Sequence, residues 1–410
     1  MNAERLLERF LQYVQIDTTA VDSTDKYPSS PGQIELGQLV VRQLRQMGLT
    51  DVTQDVYGIV QATIPANGRP DAPVVAFNAH FDTSPETSGK NVRPQVIRNF
   101  NGQDIPLHGD PTKTIAAATC AELPAAKGQT IITTDGTTLL GGDDKAGIAI
   151  MMEMAATLVE SKPFPHGPVR LLFTCDEEIG RGVAHVDVPK VAAHVCYTFD
   201  GGGIDMIDNE TFSADLAIVT VQGVNIHPSI GKGKMINAVR GAGEFLSRLP
   251  RALAPEQTEG REGFLHPYTI EGGVAQTTVR ILLRDFDTSF LKSHADVIRR
   301  AAAETESEFP GLKIDVKIQK QYRNMAEGLT KEPRAVQLAV EAHTRLGRKP
   351  QLSIIRGGTD GSQLTEKGLP TPNLSSGQHN IHSPLEWASL DEMAAACQVG
   401  LEIVRRWGEE

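Results

Sequence analysis

Several acidic and histidine side chains of this 410-residue chain follow directly after apolar runs. The clearest case is the stretch LLFTCDEEIGRG, in which residues 171–174 lead through a cysteine into Asp176, Glu177 and Glu178. A short apolar run that ends in polar and glycine residues predicts a buried strand leaving a sheet. Three neighbouring acids at such a strand end repel one another and raise each other's pKa unless a cation holds them. The stretch therefore indicates a metal site, with a solvated acidic turn as the alternative.

Further candidate ligands follow other apolar runs or lie in a late loop. They are His80 with Asp82, Asp143 with Asp144, Asp200, and His382. If the strands share one sheet, their carboxyl ends meet at one edge and bring these side chains together. Two histidines with several carboxylates suit zinc, manganese or cobalt better than a soft metal. Since there are more acids than one divalent ion needs, we expect two ions with one bridging carboxylate.

Each of these pieces also has a structural alternative. A histidine beside an aspartate is often only a hydrogen-bonded pair, and residues 141–145 could form a turn with a solvated lysine. Asp200 before three glycines could be turn chemistry, and His382 could be a loop histidine, as we expect His379 to be. Together these alternatives require independent coincidences at several strand ends, so the sequence favours a functional site.

The elements that must position these residues alternate between strands and helices up to about residue 211, and the pattern resumes after residue 322. This alternation predicts an α/β fold, a sheet with helices on both faces. In the long excursion after His80, Asn101-Gly102 and Asp135-Gly136 each predict a β-hairpin between short apolar runs. We therefore expect the site at the strand ends of one large sheet, beside an excursion with two hairpins.

Residues 212–321 follow a different pattern. Their predicted order is β-α-β-β-α-β, which is typical of a ferredoxin-like α+β unit. A segment of this size can fold by itself. We therefore expect a larger domain of residues 1–211 and 322–410, into which a smaller domain of residues 212–321 is inserted.

Charge and apolar patterns argue against several classes of partner. The formal net charge of −11 disfavours nucleic acid or an anionic membrane as the main partner. Residues 1–16 mix charges with apolar residues at helical spacing, which predicts an amphipathic helix and not a signal peptide. No apolar run approaches the roughly 18 residues that span a bilayer, and the four cysteines form no CxxC pair. We therefore expect a cytoplasmic protein.

Five strings carry a resemblance to a known family, namely NAHFDT, LLGGDDKAG, FTCDEEIG, YTFDGGG and HNIHSPLEW. They resemble the di-zinc exopeptidases that include glutamate carboxypeptidase-like and aminoacylase-like enzymes. The excursion after His80, the GGDDKAG form, RDFD at 284–287 and RGGTDG at 356–361 resemble the tripeptide-aminopeptidase branch of that family. The resemblance covers essentially the whole chain. It implies a mixed sheet in the catalytic domain and a lid or dimerisation role for the inserted domain.

The resemblance also implies a metal-binding role for five positions. Asp143 would bridge two Zn²⁺ ions per chain, for which Co²⁺ or Mn²⁺ could substitute. His80 and Asp200 would complete the shell of one ion. Glu178 and His382 would complete the shell of the other.

Catalytic and substrate-binding roles follow from the same resemblance. Asp82 would orient His80, and Glu177 would be the general base that takes a proton from a metal-bridging water. His227 of the inserted domain would stabilise the oxyanion. The family usually has glycine where this chain has Ser229, and we expect this to alter the loop slightly. The substrate-binding positions would be Arg284, Arg356 and Asn324, the arginines being suited to the free carboxylate of a short peptide.

These roles predict a zinc-dependent aminopeptidase that removes the N-terminal residue from tripeptides. One alternative is a di-metal amidohydrolase or dipeptidase of the same fold that acts on N-acyl or N-carbamoyl amino acids. Another is a non-catalytic binding protein, which is disfavoured because Glu177 and all five ligand positions are present. The expected partners are short peptide substrates and a second copy in a homodimer, because a ferredoxin-like insert can pair across a two-fold axis.

Overall fold

The structure is a computed structural model that describes every residue from Met1 to Glu410. The strands are β1 (Val52–Gln54), β2 (Val60–Ile64), β3 (Val75–His80), β4 (Gln95–Ile97), β5 (Ile105–Pro106), β6 (Thr114–Ile115), β7 (Ile131–Thr133), β8 (Val169–Thr174), β9 (Val195–Gly202), β10 (Met206–Thr211), β11 (Ser213–Gln222), β12 (Phe264–Gly272), β13 (Gln276–Asp285), β14 (Lys313–Tyr322), β15 (Gln351–Ile355), β16 (Asn373–His379) and β17 (Trp387–Ser389). The helices are α1 (Ala3–Val14), α2 (Pro31–Gln46), α3 (Glu122–Ala125), α4 (Gly142–Ser161), α5 (Val188–Val191), α6 (Ala238–Ser247), α7 (Phe290–Glu308), α8 (Met325–Leu329), α9 (Arg334–Arg345), α10 (Asp360–Glu366) and α11 (Leu390–Glu409). None of these helices has the length and apolar character that a membrane crossing requires.

Two compact units make up the chain. The larger unit contains Met1–Asn209, Met325–Ser353 and Thr359–Glu410, and the smaller unit contains Glu210–Asn324 and Ile354–Gly358. The insert expected at residues 212–321 lies within the smaller unit. That unit also contains a short segment near residue 356 that the sequence assigned to the larger domain.

An 11-stranded sheet runs through the larger unit. Nine of its strands follow the order β1-β2-β8-β3-β9-β16-β17-β7-β4, and β10 pairs with both β15 and β16. The four central strands β8, β3, β9 and β16 pair with one another in parallel. Every pair that involves β1, β2, β4, β7 or β17 is antiparallel. The predicted mixed sheet is confirmed. Its parallel centre brings the carboxyl ends of adjacent strands to one edge.

Apolar side chains are buried on both faces of the central strands. On β3, Phe77 and Ala79 belong to the main core, while Ala76 belongs to a separate cluster with Leu172 and Leu364. A strand that is buried on both faces requires this alternation. Helix α4 packs against β3, β9, α1 and α11, and α10, which carries Leu364, packs against β9. Helices therefore cover both faces of the sheet, as the sequence predicted.

Both hairpins predicted in the excursion are wrong. β4 pairs with β7 and β5 pairs with β6, so the two flanks of Asn101-Gly102 do not pair with each other. Asp135 does form a turn, in which its carboxylate accepts the backbone N–H of Thr137 at 3.0 Å, but residues 139–140 are not a strand. The apolar residues of this region instead pack around Trp387. Long-range packing therefore overrides the local turn signals.

The smaller unit contains a four-stranded antiparallel sheet of order β12-β13-β11-β14. Together with α6 and α7, these strands give the order β-α-β-β-α-β. The two helices pack against each other and against β11 and β13. They bury Phe245, Ile281 and Ile298 in a core that belongs to this unit alone. The predicted ferredoxin-like order is confirmed.

A buried chain of polar groups supports the end of β9. Oδ2 of Asp208 accepts a hydrogen bond from Nδ2 of Asn373 at 2.9 Å, and Oδ1 of Asn373 accepts the backbone N–H of Asp200 at 3.1 Å. Asp208 therefore determines which way the amide of Asn373 faces. Burial raises the pKa of Asp208 to about 6, and hydrogen bonds from Ser353 and Asn373 oppose this effect.

We expect Asp208→Asn to stabilise the protein at neutral pH. Native Asp208 keeps its proton up to about pH 6, whereas the ordinary carboxyl loses it near 3.8. The wild type therefore loses free energy of unfolding as the pH rises through this window, by roughly 3 kcal/mol. Asparagine keeps an acceptor for Asn373 and carries no charge. Urea unfolding should show that the free energy of unfolding of the variant, relative to that of the wild type, increases from about pH 4 to about pH 7. The exposed Asp22→Asn is the control, and an equal response of both variants would contradict this account.

Candidate metal centre

Five potential metal ligands lie where the central elements of the larger unit begin or end. His80 is the last residue of β3, Asp200 lies near the end of β9, and Glu178 follows β8. Asp143 lies in the first turn of α4, and His382 follows β16. Since β8, β3, β9 and β16 are parallel, their carboxyl ends meet at one edge of the sheet.

The five side chains form two groups that share Asp143. In the first group, Nε2 of His80 lies 3.0 Å from Oδ1 of Asp143 and 3.6 Å from Oδ1 of Asp200. In the second group, Nε2 of His382 lies 2.9 Å from Oε2 of Glu178 and 3.4 Å from Oδ2 of Asp143. Within each group the potential ligand atoms all lie within 4.8 Å of one another. The structure thus brings together the five positions for which the family resemblance implied a metal-binding role, whereas Asp82 and Asp144 belong to neither group.

The charges of these side chains are poorly balanced by themselves. Burial raises the pKa of Glu178 to about 8 and that of Asp200 to about 7, and in both cases the negative charge of Asp143 adds to the effect. Burial favours the neutral form of His382, but hydrogen bonds with Asp143 and Glu178 outweigh it and raise the pKa to about 11. Carboxylates that raise each other's pKa in this way are stabilised by a cation between them.

The donor atoms fit a divalent transition metal. Each group offers an imidazole nitrogen together with carboxylate oxygens, a set that suits zinc, cobalt or manganese. Burial raises the pKa of Asp143, but hydrogen bonds from His382 and His80 outweigh it, so the net effect is a lowered pKa and a charged carboxylate facing both groups. Oε1 of Glu178 is buried without a hydrogen-bond partner, and a bound cation would stabilise it electrostatically.

Asp82 connects a ligand histidine to the loop that carries the acids. Nδ1 of His80 lies 3.1 Å from the backbone oxygen of Asp82 and 3.4 Å from its Oδ1, so the carbonyl is the closer partner. The carboxylate of Asp82 accepts the backbone N–H groups of Glu177 and Glu178, each at 3.0 Å. The sequence suggested the contact with His80 but gave no sign of the two bonds to the loop. Asp82 therefore places the histidine and both glutamates relative to one another.

Glu177 is half-buried and lies within electrostatic range of both groups. Burial raises the pKa of Glu177 well above its usual range; His80 opposes this shift, whereas Asp200 and Asp360 add to it. A carboxylate with a raised pKa binds a proton more readily, which is what a general base working near neutral pH requires. The environment of Glu177 therefore suits proton transfer.

Asp176, the first acid of the same stretch, does not join the metal groups. Its carboxylate accepts the backbone N–H and the hydroxyl of Ser29 at 2.8 and 2.5 Å, the amide of Gln33 at 2.7 Å and the guanidinium of Arg181 at 2.8 Å. Its φ of +62° turns the chain between this residue and Glu177. The expectation that three neighbouring acids converge on a cation is therefore wrong for Asp176, whose charge is neutralised by these donors.

His379 is not the loop histidine that the sequence suggested. It is the last residue of β16, its ring stacks on Trp387 with 3.8 Å between ring centroids, and its Nε2 lies 2.7 Å from Oε2 of Glu392. The strand continues past the apolar run near residue 374 because β9, β10 and β17 all pair with it. Such pairing partners cannot be read from local sequence.

Two buried acids beside the site were missed by the sequence analysis. Asp360 accepts a hydrogen bond from the hydroxyl of Thr174, the last residue of β8, at 2.5 Å. Glu386 accepts backbone N–H groups from the loop that precedes Asp143. Both acids lie inside motifs that carried the family resemblance, RGGTDG and HNIHSPLEW, and that membership was the available signal. Their partners are distant in sequence, so spacing could not reveal them.

In the smaller unit, His227 is exposed and precedes the short 3-10 turn Pro228–Ile230. Its Nδ1 lies 2.7 Å from Oγ of Ser229 and accepts the backbone N–H of Ser229 at 3.3 Å. Because Nδ1 is an acceptor here, Nε2 carries the proton of the neutral ring. The serine that stands in place of the family's usual glycine thus contributes a hydroxyl partner to the histidine.

The three residues expected to bind substrate all have partners within the smaller unit. The guanidinium of Arg284 donates to two backbone carbonyls and a glutamine side chain, and that of Arg356 donates to three backbone carbonyls and a threonine hydroxyl. The side-chain amide of Asn324 donates to a glutamate carboxylate and a backbone carbonyl. Their assignment to substrate binding stays a prediction.

The larger unit is an α/β fold whose mixed sheet carries two linked histidine–carboxylate groups at the carboxyl ends of its parallel strands. This architecture is that of a candidate two-metal hydrolase. Residues 134–406 match the sequence model of Peptidase family M20/M25/M40, a match that spans more than half of the chain. The chain belongs to this peptidase family.

Relatives resemble the chain over its full length. Peptidase T of Bacillus thuringiensis (strain Al Hakam) is 44% identical over 407 residues, which cover 99% of each sequence. A tripeptidase from Staphylococcus aureus subsp. aureus Mu50 has a TM-score of 0.79 at 23% identity, with 100% of both chains covered. An aminopeptidase from Bacillus cereus ATCC 10987 has a TM-score of 0.76 at 22% identity, with 99% of both covered. A dinuclear metal-binding peptidase of the M20 family from Bacillus subtilis has a TM-score of 0.63 at 17% identity, with 98% and 97% covered. These solved structures share the fold.

We expect Asp82→Asn to weaken metal binding. Asparagine has one acceptor oxygen where the carboxylate has two, so it directs an amide N–H at one of the two loop N–H groups that Asp82 accepts. The loss of this support should lower zinc affinity by roughly 10–100-fold, as measured by competition with a chromophoric chelator. Asp135→Asn is the control, because Asp135 also accepts a backbone N–H, but from Thr137, which is not a potential ligand, whereas Asp82 accepts that of the ligand Glu178. Equal zinc affinities in the two variants would argue against this role of Asp82.

Proposed function

We propose that this protein is a zinc-dependent aminopeptidase that removes the N-terminal residue from tripeptides. The observation that carries the proposal is the pair of ligand groups that share Asp143, with the loop of Glu177 fixed beside them. The full-length similarity to a protein named Peptidase T, and the fold shared with a tripeptidase, support the proposed activity.

We assign the five ligands to two Zn²⁺ ions per chain, with Co²⁺ or Mn²⁺ as substitutes. His80 and Asp200 belong to one ion, Glu178 and His382 belong to the other, and Asp143 is shared by both. When bound, such a pair of ions lowers the pKa of a water molecule and polarises a peptide carbonyl. The similarity in fold to a dinuclear metal-binding peptidase supports this assignment.

Glu177 is the proposed general base. Its carboxylate accepts a proton as the attacking water adds to the scissile carbonyl carbon, and it returns that proton to the leaving amine nitrogen as the C–N bond breaks. Burial raises the pKa of Glu177, which helps it to hold the proton between the two steps. The backbone N–H of Glu177 donates to Asp82, which also contacts His80, so the positions of Glu177 and His80 are fixed relative to each other.

We assign residues 1–211 and 322–410 to catalysis and residues 212–321 to a lid and dimerisation domain. In the lid, Ser229 occupies Nδ1 of His227, which leaves the Nε2–H of the ring as a donor for the oxyanion of the tetrahedral intermediate. We assign binding of the peptide's carboxyl-terminal end to Asn324, Arg284 and Arg356, and the two arginines would pair with its free carboxylate. We further propose a homodimer that works in the cytoplasm.

We expect hydrolysis to be confined to tripeptides with a free amino end. The test compares matched di-, tri- and tetrapeptides, each with a free and an acetylated amino end, alongside the metal content of the protein. Removal of metal with a chelator should abolish turnover, and added zinc should restore it. Preference for acetylated substrates would instead indicate an amidohydrolase with the same site. Turnover that survives complete removal of metal would refute the proposal.

We expect Glu177→Gln to separate chemistry from metal binding. Glutamine cannot accept the proton of the attacking water, so turnover of a tripeptide should fall by about 10²–10⁴-fold. Metal content should stay at the wild-type level, because Glu177 belongs to neither ligand group. Its neighbour provides the matched comparison, since Glu178→Gln removes a ligand and should lower the metal content itself. Unchanged turnover in Glu177→Gln would exclude this residue as the base.

A further inference from the structure

Glu386 is a buried acid that forms no ion pair with a basic side chain. It lies just before β17, and only 1% of its surface is exposed. Its Oε2 accepts the backbone N–H groups of Leu140 and Gly141, each at 2.8 Å, and its Oε1 accepts the backbone N–H of Asp143 at 3.2 Å. All three donors are backbone N–H groups of one loop, so the carboxylate fixes the backbone of that loop.

This loop is the beginning of α4, and it lacks a cap of its own. The N-cap residue is Gly141, which has a φ of +82° and offers no side chain to the free N–H groups. Glu386 supplies the missing acceptor from elsewhere in the chain, through both of its carboxyl oxygens. A Cβ added to Gly142 would lie 3.1 Å from Oε1 of Glu386, so the glycine leaves room for the carboxylate to approach.

The loop carries Asp143, the one residue that belongs to both ligand groups. Its Oδ1 faces His80 and its Oδ2 faces His382, so a small rotation of this backbone would misplace an oxygen in both groups at once. Glu386 is also four residues beyond His382 in the chain. It therefore ties the loop that carries the shared carboxylate to the loop that carries the second group's histidine.

We propose that Glu386 is a positioning residue that holds Asp143 in the orientation needed to serve both ions. The inference deepens the proposed metal centre and rests on it. Glu386 touches backbone groups and not the ions' ligand atoms, so it acts through Asp143. It sets the affinity for both ions together, and this distinguishes it from residues that support one group alone.

The test measures zinc affinity in Glu386→Ala and Glu386→Gln by competition with a chromophoric chelator. Alanine removes all three bonds and should weaken the binding of both ions by roughly 10–100-fold. Glutamine keeps one acceptor oxygen for Leu140 and Gly141 but cannot accept the N–H of Asp143 with its amide nitrogen, so we expect an intermediate loss. The absorption spectrum of the Co²⁺-loaded protein should change in the same order, because it reports ligand geometry.

The matched control is Glu153→Gln. Glu153 is as deeply buried as Glu386 and lies on α4 itself, but it pairs with Arg5 and Arg9, away from the beginning of the helix. This variant should lower the melting temperature and leave zinc affinity and the Co²⁺ spectrum unchanged. Wild-type affinity in Glu386→Gln, or in a folded Glu386→Ala, would overturn the inference. A wild type that takes up no zinc would instead overturn the proposed function on which the inference rests.

Discussion

One carboxylate group takes part in both ligand groups, and much of the larger unit serves to keep it in place. Asp143 lies where α4 begins, and this helix is buried between the sheet and two other helices. The strands that carry the remaining ligands are parallel, so their ends approach the same helix from one side. Placing several acids there is unfavourable for the side chains by themselves, as the raised pKa values of Glu178 and Asp200 indicate. The fold therefore concentrates negative charge at the point where a cation is most strongly stabilised.

Buried carboxylates that accept backbone N–H groups fix the loops around this point. Asp82 holds the backbone of Glu177 and Glu178, Asp176 holds the beginning of α2, and Asn373, oriented by Asp208, receives the N–H of Asp200. Loops are ordinarily the most mobile parts of a domain. Here each of these three loops is bound to a neighbouring element by hydrogen bonds to a carboxylate or an amide oxygen, and bonds to an ionised carboxylate are roughly twice as strong as neutral ones. Reactive groups can therefore lie on loops and still be held in a fixed geometry.

The sequence could predict features that depend on local order and failed where distant contacts decide. His80, Glu178 and Asp200 were recognisable as candidates because they follow or end apolar strands, and parallel strands send such residues to one edge. Asp143 and His382 were recognisable chiefly through the motifs that carry the family resemblance. The ferredoxin-like order was recognisable because its elements are consecutive. The hairpin at Asn101-Gly102 was wrong because packing around Trp387 outweighs turn chemistry. Asp176 was misjudged because its partners lie near residue 30, and Glu386 was missed because its partners lie near residue 140.

The contacts of Asp176 also attach the amino-terminal segment to the acidic loop that carries Glu177 and Glu178. Ser29 meets this aspartate across 147 positions of sequence, and the next residue after the aspartate is Glu177. The start of α2 and the acidic loop are consequently joined by several hydrogen bonds, although they are far apart in sequence. Ser29 and Gln33 meet their acceptor only where the chain leaves β8. The backbone that leads into Glu177 therefore reaches its final geometry only when the beginning and the middle of the chain have docked.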